Sequence, residues 1–126
     1  MFHVRVDLIK NRLYLTVGCI PKNKVNRVLL RIEQAARKLD PGFTCVTRII
    51  DYREIDASDI DGIKSIQKRL LTCGMSRVVR VGHDPGRQLL HLVDTELQAI
   101  AQDADNLEEA ESLLDEAAYP DMFIPA

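Results

Sequence analysis

Apolar and polar residues alternate from the start of the chain. Phe2, Val4, Val6 and Leu8 fall on one side, and His3, Arg5 and Asp7 on the other. A period of two marks a half-buried strand, because successive side chains point to opposite faces. Lys10-Asn11 makes a polar break, and the alternation resumes with Leu13, Leu15 and Val17 on one side. Two alternating runs around a two-residue turn containing Asn predict a β-hairpin. Gly18 closes it.

The period then lengthens. Val25, Leu29, Ile32, Ala36 and Leu39 are spaced by 4, 3, 4 and 3 residues, which is one apolar stripe of a helix opened by Pro21 and Asn23. Lys22, Lys24, Arg27, Arg31, Arg37 and Lys38 surround the stripe, either as a solvated face or as a surface for an acidic partner. Asp40-Pro41-Gly42 ends this helix. Residues 43–50 are aromatic and β-branched with little alternation, as in a strand covered on both faces. A polar loop over 51–59 follows. Ile60, Ile63, Gln67, Leu70 and Leu71 then outline a second amphipathic helix, for which Ser58 in Ser58-Asp59-Ile60-Asp61 is the N-cap candidate. Cys73-Gly74 ends it. Val78, Val79 and Val81 build a fourth strand, and the turn 82–86 leads into a helix over 87 to about 96. Residues 97–104 either extend that helix or hold a short fifth strand around Ala99-Ile100-Ala101; the strand is the preferred reading. Asp105 with Glu108, or Asn106 with Glu109, caps a last helix carrying Leu107, Ala110, Leu113, Leu114 and Ala117. Its other face is acidic.

A hairpin followed by crossovers predicts an α/β fold: a mixed sheet of four to five strands with about four helices on its faces. At 126 residues and 46% hydrophobic, the chain is long and apolar enough for one cored domain, placed at 1–118. The tail 119–126 holds four large apolar residues, Tyr119, Met122, Phe123 and Ile124, and two prolines. It packs on its own domain, covers a neighbouring subunit as in a homodimer, or is disordered.

Charge narrows the function. Seventeen basic against nineteen acidic residues disfavour a nucleic-acid partner. No run of ~18 apolar residues suggests a membrane span. The N-terminus lacks the apolar core of a signal peptide, so a cytoplasmic protein is expected. Cys19, Cys45 and Cys73 lie 26 and 28 residues apart, with no CxxC pair, and read as reduced thiols. No ligand set has the spacing of a structural metal site, and no cofactor is expected.

Parallel strands place ligands beyond their C-terminal ends. Asp51, Arg53, Asp56, Ser58, His83 and Asp84 converge there. This crevice suits a carrier or sensor of a small lipid or anion. His83 with Asp51 or Asp84 is also an acid–base or metal-binding pair in principle. Residues 82–86 lack the phosphate-loop pattern. His3 reads as exposed on the hairpin, and His91, among leucines, as a partly buried helix residue.

Three segments, in this order and spacing, resemble the SpoIIAA-like branch of the STAS superfamily, the anti-sigma-factor-antagonist fold. They are Asn11-Arg12-Leu13-Tyr14-Leu15 in the hairpin, Ala35-Ala36-Arg37-Lys38-Leu39-Asp40-Pro41-Gly42-Phe43 at the helix-to-strand junction, and Asp105-Asn106-Leu107-Glu108-Glu109-Ala110 at the last helix. The likeness spans Phe2 to about Glu116. It implies a non-enzymatic module that docks on a regulatory protein and is switched by phosphorylation of a serine in a D-S-S-G-like pattern. The corresponding run is Asp56-Ala57-Ser58-Asp59, which makes Ser58 the phosphoacceptor and Asp56 the family aspartate. Asp59 replaces the glycine, and Arg48 replaces the aspartate that commonly ends the strand. A phosphate at a helix start is favoured by its free N–H groups. Asp56, Asp59 and Asp61 oppose it, and Arg48 offsets that charge if it reaches the site.

Overall fold

The computed structural model describes residues 2–50, 57–82 and 99–118. The opening hairpin is present: β1 (Phe2–Asp7) runs antiparallel to β2 (Arg12–Val17), with Phe2 opposite Val17 and Val6 opposite Leu13. Its turn is longer than the alternation implies. Both the Ile9 and Lys10 N–H groups donate to Asp7 Oδ1, each at 3.0 Å, and this side-chain turn stops β1 before Leu8. Leu8 therefore leaves the inner face and is 66% exposed, and Ile9 is 97% exposed. Asn11 closes the turn in the left-handed region at φ +53°, which Asn tolerates better than most residues.

A single 3-10 turn (Lys22–Lys24) leads into α1 (Val25–Ala36), which buries Val28, Ile32 and Ala36. Then come β3 (Thr44–Ile49), α2 (Ala57–Thr72), β4 (Arg77–Val81), β5 (Ala101–Ala104) and α3 (Leu107–Ala118). The sheet is five-stranded and mixed, in the order β1-β2-β3-β4-β5, with β2 to β5 parallel. The ambiguous stretch does hold a strand, but two residues later than Ala99. Gln102 and Asp103 hid it, being poor strand formers that an edge position accepts. Three α-helices lie among the described residues, against about four expected; the helix predicted over 87–96, with His91, lies outside them, as does the tail 119–126. α2 begins at Ala57, so Ser58 is the second residue of the helix rather than the residue before it.

Alternation along each strand divides the core. On one face Leu13, Leu15, Val17, Cys45, Ile49 and Val78 pack under α1 and α2. On the other, Tyr14, Val46, Val79, Val81 and Ala104 pack under Ala110 and Leu114 of α3. β3 is thus covered on both faces for most of its length, as its apolar run predicts, until Arg48 emerges near its end. Gln67 does face inward with Ile63, Ile66 and Leu70, and its Oε1 is buried with no hydrogen-bond partner among the described residues. An unpaired buried amide costs stability, so Gln67→Leu should stabilise the fold by about 1 kcal/mol. The melting midpoint should rise by about 3–6 °C. A lower midpoint would show that the amide is satisfied.

Candidate functional site

Strand register builds a floor row by row on the α3 face. Nearest the C-terminal ends of the parallel strands, His3 stands opposite Thr16, Thr16 beside Arg48, and Arg48 beside Val81. The next row is Arg5, Tyr14, Val46 and Val79. α3 packs over β3, β4 and β5, which leaves the β1 end of these rows outside its footprint. A groove of about 500 Å³ results, a volume usual for small-molecule sites. Tyr14, Val46 and Val81 give it an apolar floor; His3, Arg5 and Arg48 give it three basic groups; Asp105, Asn106 and Leu107 form the wall at the start of α3.

One polar cluster holds this geometry. The buried Arg12 guanidinium donates from Nε to Thr44 Oγ1 at 3.0 Å and from Nη1 to Glu111 Oε1 at 2.9 Å, and it pairs through Nη2 with Asp115 at 3.0 Å. Tyr14 donates its hydroxyl proton to the same Glu111 oxygen at 2.5 Å, and Lys10 bonds the other oxygen at 2.9 Å. β2 is thereby tied to α3. Burial alone would raise the Glu111 carboxyl; hydrogen bonds from Tyr14, Lys10 and Arg12 outweigh it and hold the pKa down at about 2. Burial, then the Glu111 carboxylate, pushes the Tyr14 phenol up, so it stays a donor. With the Tyr14 ring fixed, Arg5 rests on it, Cζ 3.8 Å from the centroid, a cation–π contact that holds the guanidinium at the groove.

The wall is a cap. Asn106 Oδ1 accepts the Glu109 N–H at 2.8 Å, as the sequence pairing predicts. Glu109 reaches back to the Asp105 N–H at 3.0 Å, one residue earlier than in a capping box. Leu107 is left 47% exposed at the groove.

Of the residues singled out in the sequence, Arg48 lies in the groove. Asp59 does not: its Oδ1 accepts the Ile20 N–H at 3.3 Å and tethers the start of α2 to the chain leaving β2. Asp51, Arg53, Asp56, His83 and Asp84 lie outside the described residues. His3, Arg5, Tyr14 and Thr16 were missed as site residues. Part of their signal was available: the alternation puts His3 and Arg5 on one side of the first strand and Tyr14 and Thr16 between the apolar positions of the second. The shorter turn expected there shifts the pairing by two residues, and only the observed register sets His3 and Thr16 in the row of Arg48. Among the described residues no group of three His, Cys, Asp or Glu side chains is placed to hold a metal. The three cysteines are free of disulfides. Burial, then the Glu33 carboxylate, pushes the Cys73 thiol up, opposite to what a reactive thiolate needs.

No protein-family model matches the chain, and no curated protein matches it significantly. Among the described residues no helix is long and apolar enough to cross a membrane.

Proposed function

We propose that the chain is a non-catalytic, STAS-like interaction module that docks on an unidentified regulatory protein. Docking uses the end of the sheet where the parallel strands finish. The groove there carries the reading: an apolar floor supplies contact area, and Arg48, Arg5 and His3 at its margin select an acidic partner. The start of α2, tethered to the chain just past β2 on the other face of the sheet and with Ser58 in its first turn, is the position for regulation by phosphate. The module works in the cytoplasm as a homodimer and binds neither membrane nor nucleic acid.

A second reading rests on the same groove. Its concavity also suits a carrier or sensor of a small lipid or anion, with the carboxylate or phosphate on Arg48 and the apolar part over Tyr14 and Val46.

One experiment separates them: native mass spectrometry of the protein purified from its own host, with Arg48→Glu and Ser58→Asp in parallel. Docking predicts a protein partner recovered with the wild type and depleted about fivefold or more by either variant. The carrier reading predicts a bound small mass that Arg48→Glu removes and Ser58→Asp leaves. Equal recovery of a protein partner by all three forms would overturn docking through this end.

A further inference from the structure

β1 is an outer strand. It pairs with β2 and, among the described residues, with no other strand. In an antiparallel edge strand every second residue turns its N–H and C=O outward, so about three of these residues present unused hydrogen-bonding groups.

The surroundings of this edge are basic on both faces. On the α3 face lie the exposed His3 and Arg5, followed by Asp7, whose carboxylate is taken up by the Ile9 and Lys10 N–H groups. On the other face a shallow cleft of about 230 Å³ runs between β1 and α1. Half-buried Val4, Val6 and Ala35 line it together with exposed Arg31, Gln34 and Lys38. Arg31 is held near the strand by the Phe2 ring, with Cζ 5.5 Å from its centroid. Residues 22–38 carry six basic side chains and one acidic, Glu33, in a chain whose net charge is −2. Glu33 is itself paired with Arg69 of α2. The positive charge beside β1 is therefore local and uncompensated by its own helix.

We propose that this edge accepts an extended acidic segment of a partner protein as a sixth strand of the sheet. Backbone hydrogen bonds to β1 supply a sequence-independent part of the affinity. The alternating side chains supply selectivity. One row lies beside His3 and Arg5, where carboxylates are favoured. The other row lies over the Val4–Val6 cleft, where a short apolar side chain fits beneath Arg31 and Lys38. A second copy of β1 is the wrong occupant. Two-fold antiparallel pairing of identical strands sets the two Arg31–Lys38 rims on the same side of the joined sheet, facing each other across the seam, and like charges there repel. The edge shares His3 and Arg5 with the groove of the proposed function, but its outward backbone groups and the Val4–Val6 cleft on the opposite face lie outside that groove.

The test uses the full chain and an acetylated, amidated heptapeptide alternating Glu and Val. Binding is followed by fluorescence anisotropy, and amide protection by hydrogen exchange read by NMR. Saturable binding is expected, with alternate β1 amides gaining protection. Arg31→Glu with Lys38→Glu, both at exposed positions, should weaken it about tenfold or more. Arg77→Glu, at an exposed position on β4, should leave it unchanged. N-methylating one alternate set of peptide amides should abolish binding, and methylating the other set should not. Equal binding of the two methylated peptides would reduce the effect to surface charge and overturn the proposal. So would the absence of binding at millimolar peptide. Concentration-dependent protection of β1 without peptide would give the edge to a second copy instead, and would overturn it too.

Discussion

Replacing Glu111 and Asp115 together by alanine should destabilise the fold by about 3–5 kcal/mol, because it leaves the Arg12 charge buried without a partner. The Arg12 side chain is 2% exposed, and these two carboxylates face its guanidinium at 2.9 and 3.0 Å. Removing one partner of a buried ion pair is far costlier than replacing the charge itself. Arg12→Met, of similar length and without charge, should therefore cost less than the double variant, although it also loses the bond to Thr44. For a domain of this size the double variant should melt about 10–25 °C lower. The same cluster sets an acid limit. The Glu111 pKa is held at about 2 against an ordinary 4.5. A folded value below the unfolded one means that the ionised group stabilises the fold above the unfolded value, and that this stability is lost as pH falls toward the folded one. Solvent on the open side screens the effect to about 1–2 kcal/mol. The wild-type melting midpoint should fall between pH 4.5 and 2, and Glu111→Gln should flatten that part of the profile. An unchanged profile, or a double variant as stable as Arg12→Met, would remove the cluster from the account of what holds α3 to the sheet.

That cluster also shows where a sequence reading stops. Local periods revealed the hairpin, both helix stripes and the inward position of Gln67, because each is fixed by neighbours a few residues away. Arg12 and Glu111 are separated by 99 residues. Nothing in the local pattern says that a charged residue in an otherwise apolar strand is buried under the last helix. The turn failed for a different reason: Leu8 continues the alternation, but the Asp7 carboxylate takes two backbone N–H groups and ends the strand first. The groove was half legible. Arg48 stood out as a charge inside a strand. Its companions needed strand register, and the polar loops that drew attention in the sequence lie outside the described residues.

Gly74→Ala should cost about 2–4 kcal/mol, and Gly42→Ala about half as much. Gly74 sits just past α2 in a Schellman ending: Met75 N–H donates to Leu70 O at 3.1 Å, and Gly74 N–H to Leu71 O at 3.0 Å. Leu70 and Met75 are both buried in the core, as that motif favours. The backbone at Gly74 has φ +107°, where L side chains are strained. Space is also short. A Cβ there would lie 3.2 Å from the Pro41 Cα, which is backbone and cannot swing aside. Gly74 O accepts the Gly42 N–H at 2.7 Å, and Ser76 N–H donates to Phe43 O at 2.8 Å, so the turn after α1 is clipped to the turn after α2. Any shift that relieves the contact loosens both. Gly42 is the internal control: its φ is +90°, yet an added Cβ meets nothing within 4 Å. Gly42→Ala therefore reports the conformational cost alone, and the difference between the two variants reports the contact with Pro41. Chemical denaturation of both, read for midpoint and slope, gives that difference directly. Equal losses would mean that the two turns part easily. A larger loss at Gly74 would make their junction a rigid corner of the fold, at the opposite end of the strands from the groove, where stability is set without touching recognition.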